Sequence, residues 1–336
     1  MIRLPGLIDP HVHLRDPGQT QKEDFLTGTT AAIFGGFTTV LDMPNNKIPV
    51  TTASRLNKKI KIARKKIFCD VGFYFGSLGD NLDQFPLIYD RVHGLKLYLN
   101  QTTGDYLIRD KELLAIYEHW QSDKPILIHA EESVLEKVLT VVKKNGKRTH
   151  ICHVSSKNEL RQIISAKKNN LPVTCGVTPH HLFLTEKDNQ LMKPTLKTAQ
   201  DQKYLWKNIS AIDIVESDHA PHTVEEKSSA KPPFGVPNLE TTLPLLLTRL
   251  PIKEIIRLCF TNPARIFKIV FDTKTYIAVD EKFTYTLENR NLKTKCGWSP
   301  FAGRRLRGRI IKVVVRGITV MENCRLQITP GSGKII

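Results

Sequence analysis

The chain has 336 residues, 40% hydrophobic and 25% charged, which is the balance of a soluble globular protein with a substantial core. No stretch approaches the roughly 20 apolar residues of a membrane span, and residues 1–6 lack the long apolar segment of a secretory signal, so the expected location is cytoplasmic. A net charge of +17 raises the question of nucleic acid. Residues 7–13 open the pattern as a short buried strand, and it ends in His11 and His13. On a strand, residues i and i+2 face the same way, so the two imidazoles sit side by side. Paired histidines at a strand end are poorly explained by packing and suit a divalent metal. The segments 38–43, 69–75, 94–98, 125–129, 149–153, 173–177 and 211–217 repeat this strand pattern. Between them, 24–34, 54–66, 110–120, 133–144 and 157–169 carry helical periodicity.

Eight strands, mostly followed by helices, predict an α/β fold: a (β/α)8 TIM barrel over 1–275. A doubly wound open sheet would want a glycine-rich phosphate loop after its first strand, where this chain has His-x-His. Segment 239–267 reads as helix broken by Pro251 and Pro263. Residues 276–336 then read as a small β appendage, with strands at 284–287, 310–315 and 317–320. The six cysteines have no framework spacing and are expected to be reduced thiols.

The basic residues fall into two clusters. Lys58, Lys59, Lys61, Arg64, Lys65 and Lys66 flank a helical stripe of Leu56, Ile60, Ala63 and Ile67, so these lysines are expected on the wet face. Arg304, Arg305, Arg307 and Arg309 form the second. Neither has interleaved aromatics or a nucleic-acid motif, so nucleic acid is not an expected partner.

In a barrel, functional side chains gather at the C-terminal ends of the strands. His11 and His13 follow the first, Lys96 lies in the fourth, His129 ends the fifth, His153 the sixth, and Asp218 the eighth. Singly, each has a bland account: a snorkelling lysine, satisfied core histidines, a helix-capping aspartate. Five strands each placing such a residue at one rim predicts a metal centre. Four histidines and a carboxylate suit zinc better than magnesium or calcium, and are enough for two ions. Two close cations need anionic bridges, which Lys96 converted to its carbamate and a hydroxide would supply.

The segments Gly6-Leu7-Ile8-Asp9-Pro10-His11-Val12-His13-Leu14-Arg15-Asp16-Pro17-Gly18, Met43-Pro44-Asn45, Gly94-Leu95-Lys96-Leu97-Tyr98, His129-Ala130-Glu131, His150-Ile151-Cys152-His153-Val154, Thr178-Pro179-His180-His181-Leu182 and Ser217-Asp218-His219-Ala220-Pro221-His222 resemble dihydroorotases of the amidohydrolase superfamily. The animal multifunctional type is the nearest in pattern, and the likeness runs through Lys295-Cys296-Gly297-Trp298-Ser299-Pro300-Phe301. The resemblance implies two Zn2+ bridged by N6-carboxylated Lys96 and hydroxide, with His11, His13, Lys96 and Asp218 on one ion and Lys96, His129 and His153 on the other. It implies reversible cyclisation of N-carbamoyl-L-aspartate to L-dihydroorotate in pyrimidine biosynthesis. Asp218 is then the catalytic proton shuttle, and Arg15, Asn45 and His222 bind the substrate carboxylate. It further implies a flexible loop containing Gln101, Thr102 and Thr103, with His180, His181 and Glu131 supporting the ligands.

Three positions depart from the pattern: Thr103 where the animal type has phenylalanine, Gly176 where relatives commonly have glutamate, and Lys193 in place of arginine. Without a side chain at 176 no third metal is expected, and Cys152 is expected to be a buried thiol. A homodimer and an association with aspartate carbamoyltransferase are the partner expectations from resemblance. The competing readings are an inactive dihydroorotase-like partner of that carbamoyltransferase, which would lack some of the six ligands, and another cyclic amidase such as a hydantoinase or allantoinase.

Overall fold

The computed structural model describes residues 1–102 and 107–336. Its strands, in chain order, are β1 (Ile2–Pro5), β2 (Leu7–Val12), β3 (Phe37–Asp42), β4 (Asp70–Phe73), β5 (Phe75–Gly76), β6 (Leu95–Tyr98), β7 (Ile126–His129), β8 (Thr149–Ile151), β9 (Val173–Val177), β10 (Ile214–Val215), β11 (Tyr276–Thr286), β12 (Arg305–Val315), β13 (Ile318–Glu322) and β14 (Arg325–Leu326). Strands β2 to β10 run parallel in chain order, and β4 and β5 are one barrel strand interrupted at Tyr74. The ring closes where Val12 pairs in parallel with His219 and His13 N–H donates to the His219 carbonyl at 2.8 Å. This is the barrel the strand–helix alternation predicts. Its strands are buried on both faces, which explains apolar runs such as Ile-Leu-Ile-His rather than alternation.

The helices match their periodicity closely because their ends are chemically marked. Asp24 caps Phe25–Phe34 through a reciprocal pair with Thr27, Ser156 caps Lys157–Lys168 with Glu159, and Gly146, at φ 65°, ends Ser133–Asn145. Helix 239–267 is more broken than expected: Leu239–Leu246, Ile252–Ile256, a π-helical turn over Arg257–Thr261, then Asn262–Ile266.

The eighth strand is shorter than 211–217, because a 3-10 turn occupies Ile209–Ala211. The appendage is a five-stranded antiparallel sheet in the order β1-β11-β12-β13-β14, so the first residues of the chain join the last. Leu4, Ile277, Val313 and Met321 lie opposite one another across it and are buried.

One expectation about the basic helix fails. Leu56, Ile60, Ala63 and Ile67 are buried as predicted, but so is Lys59. Its ammonium lies 2.7 Å from Asp42 Oδ2 and donates to the Met43 carbonyl and to Asn46 Oδ1. Periodicity could not reveal this, since the partner is brought from β3 by tertiary folding. Among the described residues no helix is long and apolar enough to cross a membrane.

Candidate metal centre

Every strand that carries a candidate ligand delivers it to the same end of the barrel. His11 and His13 converge with Asp218: Asp218 Oδ1 lies 3.4 Å from His11 Nε2 and 3.1 Å from His13 Nε2. Donor atoms of His11, His153 and Asp218 all fall within 4.8 Å of one another. On the other side His129 Nδ1 and His153 Nε2 are 3.0 Å apart. Glu131 Oε1 lies 3.1 Å from His129 Nε2, which sets that nitrogen as the donor and turns the Nδ1 lone pair toward His153. His153 Nδ1 is buried without a hydrogen-bond partner. Two imidazole nitrogens aimed at one point, beside a third imidazole and a carboxylate, form a donor set that fits a borderline divalent cation such as zinc.

Lys96 rises from β6 into the floor of this cluster and is 1% exposed. Its Nζ meets the Cys152 thiol at 3.1 Å and the Tyr98 ring at 4.9 Å, and among the described residues it has no carboxylate partner. A buried ammonium without a counter-charge is costly. Conversion to an anionic carbamate beside bound cations removes that mismatch, so the setting fits a lysine that is modified.

The backbone is bent to make these contacts. Arg15, His153 and Asp218 all have positive φ, at 61°, 40° and 44°, in the left-handed region that costs side-chain-bearing residues energy. Three strained residues at one rim mark a place where geometry was favoured over local comfort.

Protonation follows the same map. Burial works against charge on His11, yet the carboxylates of Asp218 and Glu216 carry it up to about 10. Burial pulls His13 down to about 4 despite its contact with Asp218, and it holds His129 and His153 below the ordinary histidine value. Asp218 is kept well below the carboxylate range: burial opposes this, but His11 and His13 overcome it. Asp218 is therefore held as an anion.

A small cleft opens over these groups. Arg15, Asn45, Thr102 and Lys193 line it. Asn45 is anchored by a 2.7 Å contact of its Oδ1 with His13 Nδ1, which leaves its amide N–H groups for a ligand. Arg15 is buried and donates Nε to the Pro221 carbonyl. His222 stands one layer back. Its Nδ1 lies 3.2 Å from Lys22 Nζ and 3.3 Å from Glu226 Oε2, and its Nε2 lies 3.1 Å from Arg15 Nη2 and 3.0 Å from the Phe234 carbonyl oxygen. Burial and the nearby Arg15 and Lys22 charges keep its ring neutral. Gln101 is exposed, and Thr103 lies outside the described residues. His181 bonds Thr178 and the Pro194 carbonyl, and His180 bonds Asn238, partners in the surrounding loops rather than the ligands they were expected to support.

Sequence reasoning passed over three groups. Asp9 accepts from His11 N–H and Ser217 N–H, both at 3.1 Å, tying the first strand to the eighth. Burial raises its carboxyl to about 7. Trp298 donates Nε1–H to the His222 carbonyl, so the C-terminal segment braces the loop that follows Asp218. Glu216 is the third. It lies beside Cys152 and His11, in the space that Gly176 was expected to leave without a carboxylate. An acid two residues before Asp218 was a visible signal, but nothing local showed where it pointed.

Comparison with known proteins agrees with this geometry. The family model described as "Amidohydrolase family" matches residues 2–317. A dihydroorotase of Pyrococcus horikoshii is 37% identical over the full chain and 84% of that protein. "Multifunctional protein CAD" of Squalus acanthias is 40% identical over 99% of this chain but 16% of its own length, so the chain spans about a sixth of that relative. The solved L-hydantoinase of Arthrobacter aurescens superposes with a TM-score of 0.94 over 99% of this chain and 88% of its own, at 24% identity, which speaks for the fold alone.

Proposed function

Because this chain belongs to the amidohydrolase family, and to the dihydroorotases within it, we propose that it is an active zinc enzyme interconverting L-dihydroorotate and N-carbamoyl-L-aspartate in pyrimidine biosynthesis. The observation that carries the reading is the gathering of His11, His13, Lys96, His129, His153 and Asp218 at one rim, with Arg15 and Asn45 beside them in the same cleft. The four histidines, Asp218 and carboxylated Lys96 would hold two zinc ions. Bound there, the metal would make water nucleophilic near neutral pH and polarise the ring amide carbonyl.

The chain's own groups do the rest. Arg15 offers a planar two-donor fork to the substrate carboxylate, and the Asn45 amide adds a third donor. His222, kept neutral by burial and the nearby Arg15 and Lys22 charges, would orient Arg15 from behind by accepting from its Nη2 at Nε2, with Nδ1–H donating to Glu226. Lys193 adds positive charge at the cleft wall. In hydrolysis the attacking water forms the new C–O bond and loses a proton to Asp218. As the ring C–N bond breaks, Asp218 passes that proton to the leaving nitrogen, and ring closure reverses each transfer. Thr102 and its neighbour Gln101 would close over the bound substrate. A homodimer, an association with aspartate carbamoyltransferase, and a cytoplasmic location belong to the same proposal.

One rival reading is another cyclic amidase, such as a hydantoinase or allantoinase. Retention of all six ligand positions speaks against an inactive partner protein. Metal analysis together with turnover of dihydroorotate, hydantoin and allantoin separates the three. Zinc-dependent turnover of dihydroorotate alone is expected, and Lys96→Ala should lose bound metal and activity together. Turnover of hydantoin or allantoin instead would favour the rival amidase, and a protein without metal or turnover would favour the inactive partner.

A further inference from the structure

Glu216 leaves β10 two residues before Asp218, and its carboxylate is fully buried. Its oxygens are shared among groups that belong to the metal centre. Oε2 lies 3.2 Å from His11 Nδ1 and 3.6 Å from His150 Nε2, and Oε1 accepts the backbone N–H of His153. His153 is one of the residues held at positive φ, so this bond anchors a strained peptide. The carboxylate fits only because position 176 on the neighbouring strand is glycine: a Cβ there would overlap Glu216 Oε1 and Cδ.

A carboxylate only accepts hydrogen bonds, so His11 must donate from Nδ1. An ion that displaces the Nε2 proton would then meet a lone pair on the side of the ring facing Asp218, where the other donor atoms gather. Glu131 does the same for His129 on the opposite side of the centre. We infer that Glu216 is a positioning residue for the metal centre, presenting His11 Nε2 to the ion and fixing the His153 backbone, with Gly176 providing the room it needs. This rests on the metal-dependent reading proposed above.

Glu216→Gln preserves size and shape. Its amide oxygen can still serve His153 N–H, but its NH2 then faces His11 Nδ1 and drives the ring proton to Nε2, blocking the ligand atom. Gly176→Ala leaves Glu216 in the chain but pushes its carboxylate out of place. Both variants are prepared as full-length metal-free protein and titrated with zinc against a chromogenic chelator, with circular dichroism as the check on folding. Each should bind zinc about 10–100-fold more weakly than wild type. Activity lost at limiting zinc should return at high zinc, which a purely structural role would not produce. Wild-type zinc affinity in both folded variants overturns the inference, as does failure of both to fold, which would make Glu216 a folding residue. Wild-type protein that binds no zinc defeats the metal reading itself, a result distinguishable from either.

Discussion

The C-terminal rim of the barrel and the outer face of the appended sheet handle charge in opposite ways. On β12, Arg305, Arg307 and Arg309 alternate with buried Leu306, Gly308 and Ile310, and all three arginines are exposed. Water reaches them, and their protein contacts stay local to the sheet: Arg305 donates to Thr284 Oγ1, Arg307 to the Glu281 carbonyl, and Arg309 lies over the Phe283 ring. At the rim, His11, His13, Arg15, Lys96 and Asp218 are buried, matched to one another, and in part strained. The net charge of +17 therefore says little about function, because charges of the first kind are explained by solvation and local contacts. The chemistry sits in a few residues that break the burial rule.

That contrast can be broken by substitution. Asp218→Asn removes the proton carrier and should lower kcat for dihydroorotate by about 10²–10⁴-fold; a wild-type rate would transfer the role elsewhere. Lys59→Met, in the helix Ala53–Ala63, tests whether its buried lysine belongs with the rim. Leaving Asp42 buried without its partner should cost about 3–5 kcal/mol in urea unfolding, whereas a solvated lysine would cost almost nothing.

His181 sharpens the comparison through pH. Burial lowers it from 6.5 to about 4, so the fold favours the neutral ring. Below pH 6.5 the unfolded chain takes up a proton that the folded chain refuses, and stability falls toward pH 4 by about 3 kcal/mol from this group. His181→Asn should flatten that part of the metal-free protein's stability profile, and an unchanged slope would show that His181 does not titrate in this way. Arg15→Lys keeps the charge but loses the fork, and should reduce kcat/KM by about 10–100-fold, mainly through KM; an unchanged KM would remove Arg15 from the carboxylate site. Arg307→Ser, on the solvated face, should change unfolding free energy by less than about 0.5 kcal/mol, and a larger loss would mean that this face is not simply solvated.

Much of the barrel was legible beforehand, because parallel strands and their covering helices write their burial into residue order. The segments 125–129 and 173–177 contain β7 and β9 almost to the residue, and helix 110–120 differs from Asp110–His119 by one residue. The ligand types were legible for a related reason: an imidazole or lysine at the end of an apolar strand conflicts with packing. The short β10 and the π-turn at Arg257–Thr261 were not, since each depends on what neighbouring elements allow.

Residue order by itself determined the alternation of elements, the six candidate ligands and the family likeness, because each is carried by local pattern. Only the tertiary structure decided that Lys59 is buried against Asp42, that His222 stands behind Arg15, and that Glu216 fills the space beside Gly176. These pairings join residues from 17 to more than 200 positions apart, so no window of sequence contains both partners. Which charge meets which in a dry interior is settled when the barrel closes, by the strong penalty on any buried polar group left unmatched.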